Sequence, residues 1–150
     1  MRVFIGCDHA GFSAKDEVID ILEQLQASYE DLGAYEFDEN DDYPIIAKKV
    51  SKKVVETKDS MGILICGSGT GMSIASNKVN GIRAVVGFDS YEAKLARSDE
   101  NANILCLRSR EFDHSKYYGI IKAFLETNFS NEKRHIRRMN QLEGIQDEQN

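Results

Sequence analysis

Short apolar runs of strand length alternate along this chain with longer segments in which apolar residues recur at helical spacing, and this alternation constrains the fold more than any other feature. Buried β-strands are predicted at residues 3–5, 63–65, 84–87 and 104–107, with a weaker fifth at residues 29–32. Helices are predicted at residues 14–25, 45–55, 72–78, 91–97, 115–125 and 132–144, the last after a candidate N-cap at Asn131. Strands that alternate with helices favour a parallel sheet with helices on both faces.

The length and composition indicate one domain that spans residues 1–150, large enough to bury a core without disulfides or a metal. No apolar run approaches the ~18 residues of a membrane span, and residues 1–6 carry no signal-peptide pattern. We therefore expect a cytoplasmic protein with no membrane partner. The net charge of −6 disfavours nucleic acid as a partner. Residues 33–42 contain five acidic side chains and predict an exposed loop before Pro44.

Two loops are the best candidates for a functional site, because ligands of open parallel sheets bind beyond the carboxyl ends of the strands. Residues 6–11, Gly-Cys-Asp-His-Ala-Gly, follow the first predicted strand and place an acid beside an imidazole. Residues 66–72, Cys-Gly-Ser-Gly-Thr-Gly-Met, form a glycine-rich turn that opens a helix. Three alternate glycines let several amide N–H groups converge at the positive end of the helix dipole. That point suits an anion, either a phosphate or an oxyanion that develops during a reaction.

Cys66 lies at the edge of the glycine-rich turn. A thiol near a helix N-terminus has its thiolate stabilised, which makes it a usable base or nucleophile. The alternative is a small core residue at the end of an apolar strand, the interpretation that we adopt for Cys7 and Cys106, which have no such turn. The three cysteines form no C-x-x-C pair, so neither a disulfide framework nor a zinc ribbon is indicated and reduced thiols are expected.

Charged residues supply further candidates for the site. His9 is either a catalyst that its neighbour Asp8 orients or a satisfied surface group. Arg134 and Arg138 are four residues apart on one predicted helix face and suit a phosphate, and the alternative is a solvated basic face. Arg110, after the last predicted strand, is either a third phosphate contact or a loop charge. The helix that carries Arg134 and Arg138 could serve a neighbouring subunit.

Other classes of glycine-rich loop differ from this one at particular positions. A P-loop would end in Gly-Lys-Ser/Thr, whereas Met72 and Ser73 follow the third glycine here. A phosphatase-type cysteine loop would need an arginine at Met72. A dinucleotide site fits better, since the Gly-x-Gly-x-Gly pattern of residues 67–71 follows a strand and Asp89 lies about twenty residues further on, although the third glycine arrives one residue early. A small nucleotide-binding or non-catalytic regulatory domain therefore stays as the alternative to an enzyme.

Taken together, these residues resemble the ribose-5-phosphate isomerase B family, which also includes the galactose-6-phosphate isomerase subunits. The matching stretches run in the family's order, at residues 6–11, 42–44, 62–75, 77–78, 81–84, 101–105, 109–110, 134–135 and 138. Any one glycine motif is weak evidence, but the combination is specific.

The resemblance implies a Rossmann-like three-layer α/β/α sandwich with a mostly parallel five-stranded sheet and a C-terminal helix. It implies interconversion of ribose 5-phosphate and ribulose 5-phosphate, a step of the pentose phosphate pathway, through an enediolate. No metal and no organic cofactor are implied. The site would be shared between the two subunits of a homodimer, and whether two dimers pair into a tetramer stays open.

By position in the family's motifs, Cys66 is the base that moves a proton between C1 and C2 of the sugar, and Ser68 assists that movement. A second branch of the family uses a glutamate where this chain has Met72. The amides of residues 67–71 would hold the enediolate oxygens. Asp8 and His9 would bind sugar hydroxyls. The phosphate would be held by Arg110, Arg134 and Arg138, and the other implied substrate contacts are Tyr43, Gly67, Ser68, Gly69, Thr70, Gly71 and Glu100.

One departure concerns Asp99 and Glu100, which stand where most of the family has His-Asn, the histidine being assigned to opening the sugar ring. A carboxylate could do this acid–base work, but it lacks the pKa of imidazole and adds negative charge near a phosphorylated substrate. Three alternatives follow: His9 takes over ring opening, the substrate is a 6-phosphohexose such as allose or galactose 6-phosphate, or this chain is slow or inactive. Some galactose-6-phosphate isomerase subunits also lack the pair, so a heteromeric partner subunit stays open.

Overall fold

The computed structural model describes residues 1–147, and its centre is a five-stranded sheet. The strands are β1 (Arg2–Cys7), β2 (Ser28–Asp31), β3 (Ser60–Cys66), β4 (Ala84–Val86) and β5 (Ile104–Arg108). They lie in the order β2-β1-β3-β5-β4, and every pairing is parallel. All five predicted strands are confirmed, including the weak second one.

Six α-helices surround the sheet within the described residues: α1 (Phe12–Gln24), α2 (Tyr43–Glu56), α3 (Thr70–Ser76), α4 (Ser90–Glu100), α5 (Tyr117–Glu126) and α6 (Lys133–Asp147). Each confirms a predicted helix, with ends that differ by a few residues. Asn131 is not the N-cap that we expected, because its backbone is left-handed at φ 55° and its side chain donates to the Phe129 carbonyl. The Ser130 hydroxyl instead accepts the N–H of Glu132 at 3.3 Å.

Two separate apolar clusters cover the two faces of the sheet. Side chains of the strands alternate between them, so that Ile63 and Ile65 join one cluster and Leu64 and Cys66 join the other. Helices α1, α4 and α5 contribute to the first cluster, and α2 and α3 contribute to the second. The predicted three-layer α/β/α sandwich is therefore confirmed.

The chain changes direction across the sheet at β1 and β3, and this reversal positions the site. After β1 the chain continues to β2 on one side, and after β3 it continues to β4 and β5 on the other side. The loops that follow β1 and β3 therefore diverge and leave a crevice at the carboxyl ends of the strands, where ligands of such sheets bind.

The opposite edge of the sheet is occupied by the end of α4 and by α6. Helix α4 ends at Glu100, shortly before β5 begins, so its last turn lies at the amino ends of the strands. The Asn101 side-chain amide contacts the Met139 sulfur at 3.6 Å, and Arg83 forms an ion pair with Glu143. None of the helices in residues 1–147 is long and apolar enough to cross a bilayer.

Candidate active site

An open cleft of about 440 Å³ lies at the carboxyl ends of β1, β3 and β5. It is lined by residues of the two predicted loops, of the segment after β5 and of the start of α2: Asp8, His9, Ala10, Tyr43, Cys66, Gly67, Ser68, Gly71, Arg108, Arg110 and Glu111. Eight of the residues that the sequence nominated therefore meet in one place, namely Asp8, His9, Tyr43, Cys66, Gly67, Ser68, Gly71 and Arg110.

Cys66 is the last residue of β3 and lines the cleft, although only 4% of its surface is exposed. Its sulfur accepts a hydrogen bond from the Gly69 amide at 3.2 Å. Gly69 has φ 77°, a left-handed backbone that favours glycine and that folds the turn back over the sulfur. A donor aimed at the sulfur suits a thiolate, so the geometry favours a reactive role for Cys66 over a purely structural one.

The amides of the glycine-rich turn are divided between two uses. Those of Gly69 and Thr70 are bonded inside the turn, the first to the Cys66 sulfur and the second to the Ser68 hydroxyl at 3.2 Å. Those of Gly67, Ser68 and Gly71 have no hydrogen-bond acceptor among residues 1–147. These three N–H groups are therefore available to an anion in the cleft, whereas the expectation was that all five would serve it.

Backbone hydrogen bonds tie the turn to the neighbouring loops. The Arg110 amide donates to the Gly67 carbonyl at 3.0 Å, and the Ser109 amide donates to the Cys66 carbonyl at 3.0 Å. The Ser109 hydroxyl bonds the carbonyls of both Cys66 and Ala10. The three loops that form the cleft are therefore held in a fixed relation to one another.

His9 is oriented by Asp41 and not by its neighbour Asp8. One carboxylate oxygen of Asp41 lies 2.6 Å from His9 Nδ1 and accepts the His9 backbone amide at 3.0 Å. The hydrogen bond with Asp41 raises the pKa of His9, and burial opposes it. Asp8 is 4% exposed, and its carboxylate accepts the Gly11 amide at 2.9 Å. Burial raises the pKa of Asp8.

The acidic loop of residues 33–42 is therefore more than a solvated connection. Most of it is exposed, as predicted, but the Asp41 carboxylate reaches His9 in the wall of the cleft. The Phe37 ring meets the rings of His9 and Phe12 edge to face, with centroids 6.5 and 6.0 Å apart. Sequence reasoning missed Asp41, because 32 residues separate it from its partner and it is one of five acids in the loop.

Asp8, His9 and Asp41 are also the described side chains that could hold a cation, since each offers one ligand atom within 4.8 Å of the others. The hydrogen bond between His9 Nδ1 and Asp41 uses two of those ligand atoms. The arrangement as it stands is therefore an acid–imidazole pair beside a buried carboxyl group.

Arginines approach the cleft from the end of β5. Arg110 is exposed and lines it, as expected. Arg108 also lines the cleft and was not predicted, although a charged residue that ends an apolar strand run was a usable signal. Its guanidinium lies 3.6 Å from the carboxylate of Glu111, which is 91% exposed. The cleft therefore contains two cations that suit a phosphate.

Six nominated residues do not line this cleft. Gly69 and Thr70 belong to the glycine-rich turn, where their amides are bonded internally. The other four lie elsewhere: Asp99, Glu100, Arg134 and Arg138. Asp99 accepts the Ser98 hydroxyl at 2.6 Å and lies 3.8 Å from His135, near the start of α6 at the amino edge of the sheet. Arg134 forms an exposed ion pair with Glu132. Within one chain, the sheet separates these residues from the cleft.

The other two cysteines are core residues, as predicted. Both are fully buried. Burial raises the pKa of Cys7 to about 11, with Lys15 opposing it, and burial raises the pKa of Cys106 well above its usual range. Both thiols stay protonated at neutral pH.

The cleft lies at the reversal point of a doubly wound sheet and contains a thiol, an imidazole, free amide donors and arginines. This combination defines an α/β enzyme that acts on a small anionic molecule. The chain belongs to the ribose/galactose isomerase family, because its residues 3–142 match the model of the family described as Ribose/Galactose Isomerase. The resemblance that the sequence motifs indicated is confirmed.

Known relatives agree with this assignment. The chain is 42% identical over 142 residues to the probable ribose-5-phosphate isomerase B of Mycoplasma genitalium, with 94% of this chain and 93% of the relative covered. A crystal structure of ribose-5-phosphate isomerase B from Mycoplasma genitalium with bound ribulose-5-phosphate superimposes with a TM-score of 0.92 at 40% identity, covering 98% of this chain and 97% of that one. The type B ribose 5-phosphate isomerase of Trypanosoma cruzi gives 0.93 at 37% identity, covering 99% of both chains.

Proposed function

We propose that this protein is an aldose–ketose isomerase that interconverts ribose 5-phosphate and ribulose 5-phosphate in the pentose phosphate pathway, with Cys66 as the base. One observation carries the proposal: the Cys66 sulfur lines an open cleft beside amide N–H groups that have no acceptor in the described part of the chain. The relatives named ribose-5-phosphate isomerase B, and the Mycoplasma genitalium structure with bound ribulose-5-phosphate, support the same pair of sugars.

The residues of the cleft fit the chemistry of this reaction. Removing the proton on the carbon beside a carbonyl leaves negative charge on oxygen, and the amides of Gly67, Ser68 and Gly71 are placed to accept that charge. The Ser68 hydroxyl accepts the Thr70 amide, which leaves its own hydrogen free to donate to the reacting sugar. A positioned base such as a Cys66 thiolate contributes ~10²–10⁴-fold to the rate.

We infer that the phosphate is held by arginines of two subunits. Arg110 lines the cleft, whereas Arg134 and Arg138 belong to α6, near the opposite edge of the sheet. At ~3.3 Å per residue, the sheet separates the two edges by ~20 Å, so one chain cannot bring these arginines together. They suit the cleft of a second copy, which makes the active form a homodimer; pairing of two such dimers would leave this argument unchanged.

The test is turnover of ribose 5-phosphate by the wild type and by Cys66→Ala. We expect Cys66→Ala to lose activity by ~10²–10⁴-fold while ribulose 5-phosphate still binds, as measured by calorimetry. Cys106→Ala is the matched control, because Cys106 joins the same apolar cluster on the same face of the sheet. It should keep most of the activity. Wild-type-like turnover by Cys66→Ala, or tight binding of a dinucleotide without isomerisation, would refute the proposal.

A second candidate substrate is a 6-phosphohexose, allose or galactose 6-phosphate. Two observations favour a hexose substrate. Asp99 and Glu100 stand where most of the family has His-Asn, and the family's description includes galactose isomerases. Parallel assays of the three phosphorylated sugars, repeated with Asp99→His, decide between the candidates. A rate on ribose 5-phosphate that rises by orders of magnitude in Asp99→His would point to a hexose as the native substrate or to a slow enzyme.

We infer further that the whole chain acts as one domain in the cytoplasm, where phosphorylated sugars are retained by their charge. The pairing of a negatively charged substrate with the arginines of the cleft needs no metal and no organic cofactor.

A further inference from the structure

A phosphorylated pentose reaches an isomerase mainly as a closed ring, whereas proton transfer between C1 and C2 needs the open chain. Some group of the cleft must therefore move the protons that accompany ring opening. This inference rests on the proposed function, and it concerns a step that neither Cys66 nor the free amides of the turn perform.

Within one chain, only one of the three histidines is in position for this step. His114 is held by Glu17 and by the Ser109 carbonyl, and its ring stacks on Tyr117. His135 is 3% exposed near Asp99, at the amino edge of the sheet. His9 alone lines the cleft.

Asp41 leaves one ring nitrogen of His9 available and favours its protonated form. Because Nδ1 is bonded to the Asp41 carboxylate, Nε2 is the nitrogen that can act on a ligand. The second oxygen of that carboxylate is buried and has no hydrogen-bond partner among residues 1–147. A partly buried carboxylate with so few donors is stabilised best by a positive charge on its one strong side-chain partner, the imidazolium of His9. The edge of the Phe37 ring further restricts the imidazole.

We propose that His9 is the acid that opens the sugar ring and that Asp41 is the positioning residue that orients and charges it. The geometry that carries this is the 2.6 Å contact between Asp41 and Nδ1 in a cleft that His9 lines beside Cys66.

Ring opening moves two protons, one to the ring oxygen and one away from O1. His9 Nε2–H gives its proton to the ring oxygen O4 while the C1–O4 bond breaks and its electron pair goes to O4. The electrons of the O1–H bond form the C1=O1 double bond, and the O1 proton passes to a water molecule. The products are the open-chain aldehyde, neutral imidazole and hydronium, and solvent then reprotonates His9.

The pH dependence follows from the charges that face His9. The hydrogen bond with Asp41 raises its pKa, burial lowers it, the charge of Asp8 raises it and the charge of Arg110 lowers it, with an upward net direction. A group with a raised pKa keeps its proton to higher pH. Ring opening should therefore be fast at low pH and decline as the pH rises through the pKa of His9, and removing the Asp41 charge should move that decline to lower pH.

Two assays separate ring opening from proton transfer at carbon. Isomerisation of ribose 5-phosphate requires both. Exchange of the C1 hydrogen of ribulose 5-phosphate with D₂O requires only proton transfer, because that ketose has its 5-hydroxyl blocked by phosphate and cannot close a five-membered ring.

For Asp41→Asn we expect at least a tenfold loss of isomerisation at neutral pH, an earlier decline with pH, and exchange within about twofold of wild type. Glu39→Gln, an exposed charge removed from the same loop, should leave both unchanged.

His9→Asn provides a second variant, because its side-chain amide can still donate to Asp41 but has no titrating nitrogen. It should lose isomerisation at every pH by a much larger factor than it loses exchange at saturating ribulose 5-phosphate. A wild-type protein that neither isomerises nor exchanges would contradict the proposed function itself. If the wild type does both, then equal losses of the two activities in Asp41→Asn and His9→Asn, or no loss in either variant, would overturn this inference alone.

Discussion

Two glycines of the loops that form the cleft, Gly11 and Gly71, allow a prediction whose size follows from the structure. An added Cβ at Gly11 would lie 2.3 Å from the Ile65 carbonyl oxygen and 2.6 Å from its carbon. These are backbone atoms of the central strand β3, which cannot move aside, so the loop after β1 would have to retreat. Overpacking in a rigid core costs ~1–3 kcal/mol and occasionally more, and we place Gly11→Ala at the upper end, at ~3 kcal/mol.

Gly71→Ala meets an obstacle of another kind. Its Cβ would lie 2.8 Å from two atoms of the Tyr43 ring, and the Tyr43 side chain is 40% exposed and can swing outward. Alanine in the first turn of α3 also gains ~0.5–1 kcal/mol over glycine, which offsets most of the lost ring contact. We therefore expect a free energy of unfolding within ~1 kcal/mol of wild type but a raised KM for the phosphosugar, since Tyr43 lines the cleft.

Urea unfolding of both variants at pH 7 provides the comparison of stability, and steady-state kinetics provide the KM. We expect a large loss of stability in Gly11→Ala and a small one in Gly71→Ala. Equal losses in the two variants would refute this expectation, because the difference comes wholly from whether the neighbouring atoms can yield.

Two further predictions concern Asp8 and the second subunit. Burial raises the pKa of Asp8, so this group contributes most to stability at low pH and loses that contribution as the pH rises from its ordinary value of 3.8 through its folded value. Asp8→Asn, which keeps an acceptor for the Gly11 amide, should therefore raise Tm at pH 7 by an amount that shrinks below pH ~4, while it lowers activity; a Tm gain that persists unchanged at low pH would contradict this account. If the site is shared, two inactive variants, Cys66→Ala and Arg134→Ala, should recover about a quarter of wild-type activity after mixing, unfolding and refolding, because half of the dimers then hold one intact site of two. No recovery in a confirmed mixed dimer would refute the shared site.

The sequence was sufficient for the sheet, the layers and most of the residues that line the cleft. Strand periodicity located β1 and β3, and the rule that ligands bind beyond the carboxyl ends then brought His9 and Cys66 together without any contact information. Helix ends were less accurate. Tyr43 and Pro44 begin α2 two residues before the predicted start, since proline is tolerated in a first turn and the periodic pattern only begins further along.

Asp41 and the location of α6 could not be read from the sequence, for different physical reasons. Asp8 was the expected partner of His9 because it is adjacent, but its carboxylate folds back onto the Gly11 amide and closes the turn. The carboxylate that reaches His9 comes from a loop whose path depends on tertiary packing, including the contact of Phe37 with Phe12. Helix α6 follows the last strand, and nothing in its own pattern says which edge of the sheet it covers.

The three cysteines show how position in a fold determines the surroundings of a thiol. Cys7 and Cys106 are buried in the two apolar clusters, and desolvation raises the pKa of both thiols, so neither supplies a base at neutral pH. Cys66 is almost as buried, but it ends its strand where the glycine-rich turn begins, so its sulfur receives the Gly69 amide and meets the cleft. The same turn supplies the free N–H groups for the oxyanion. In the proposed mechanism, this one short segment supplies both the base and the N–H donors that stabilise the negative charge on oxygen. The acid that opens the ring then has to come from another loop, and the hydrogen bond with Asp41 makes His9 the candidate.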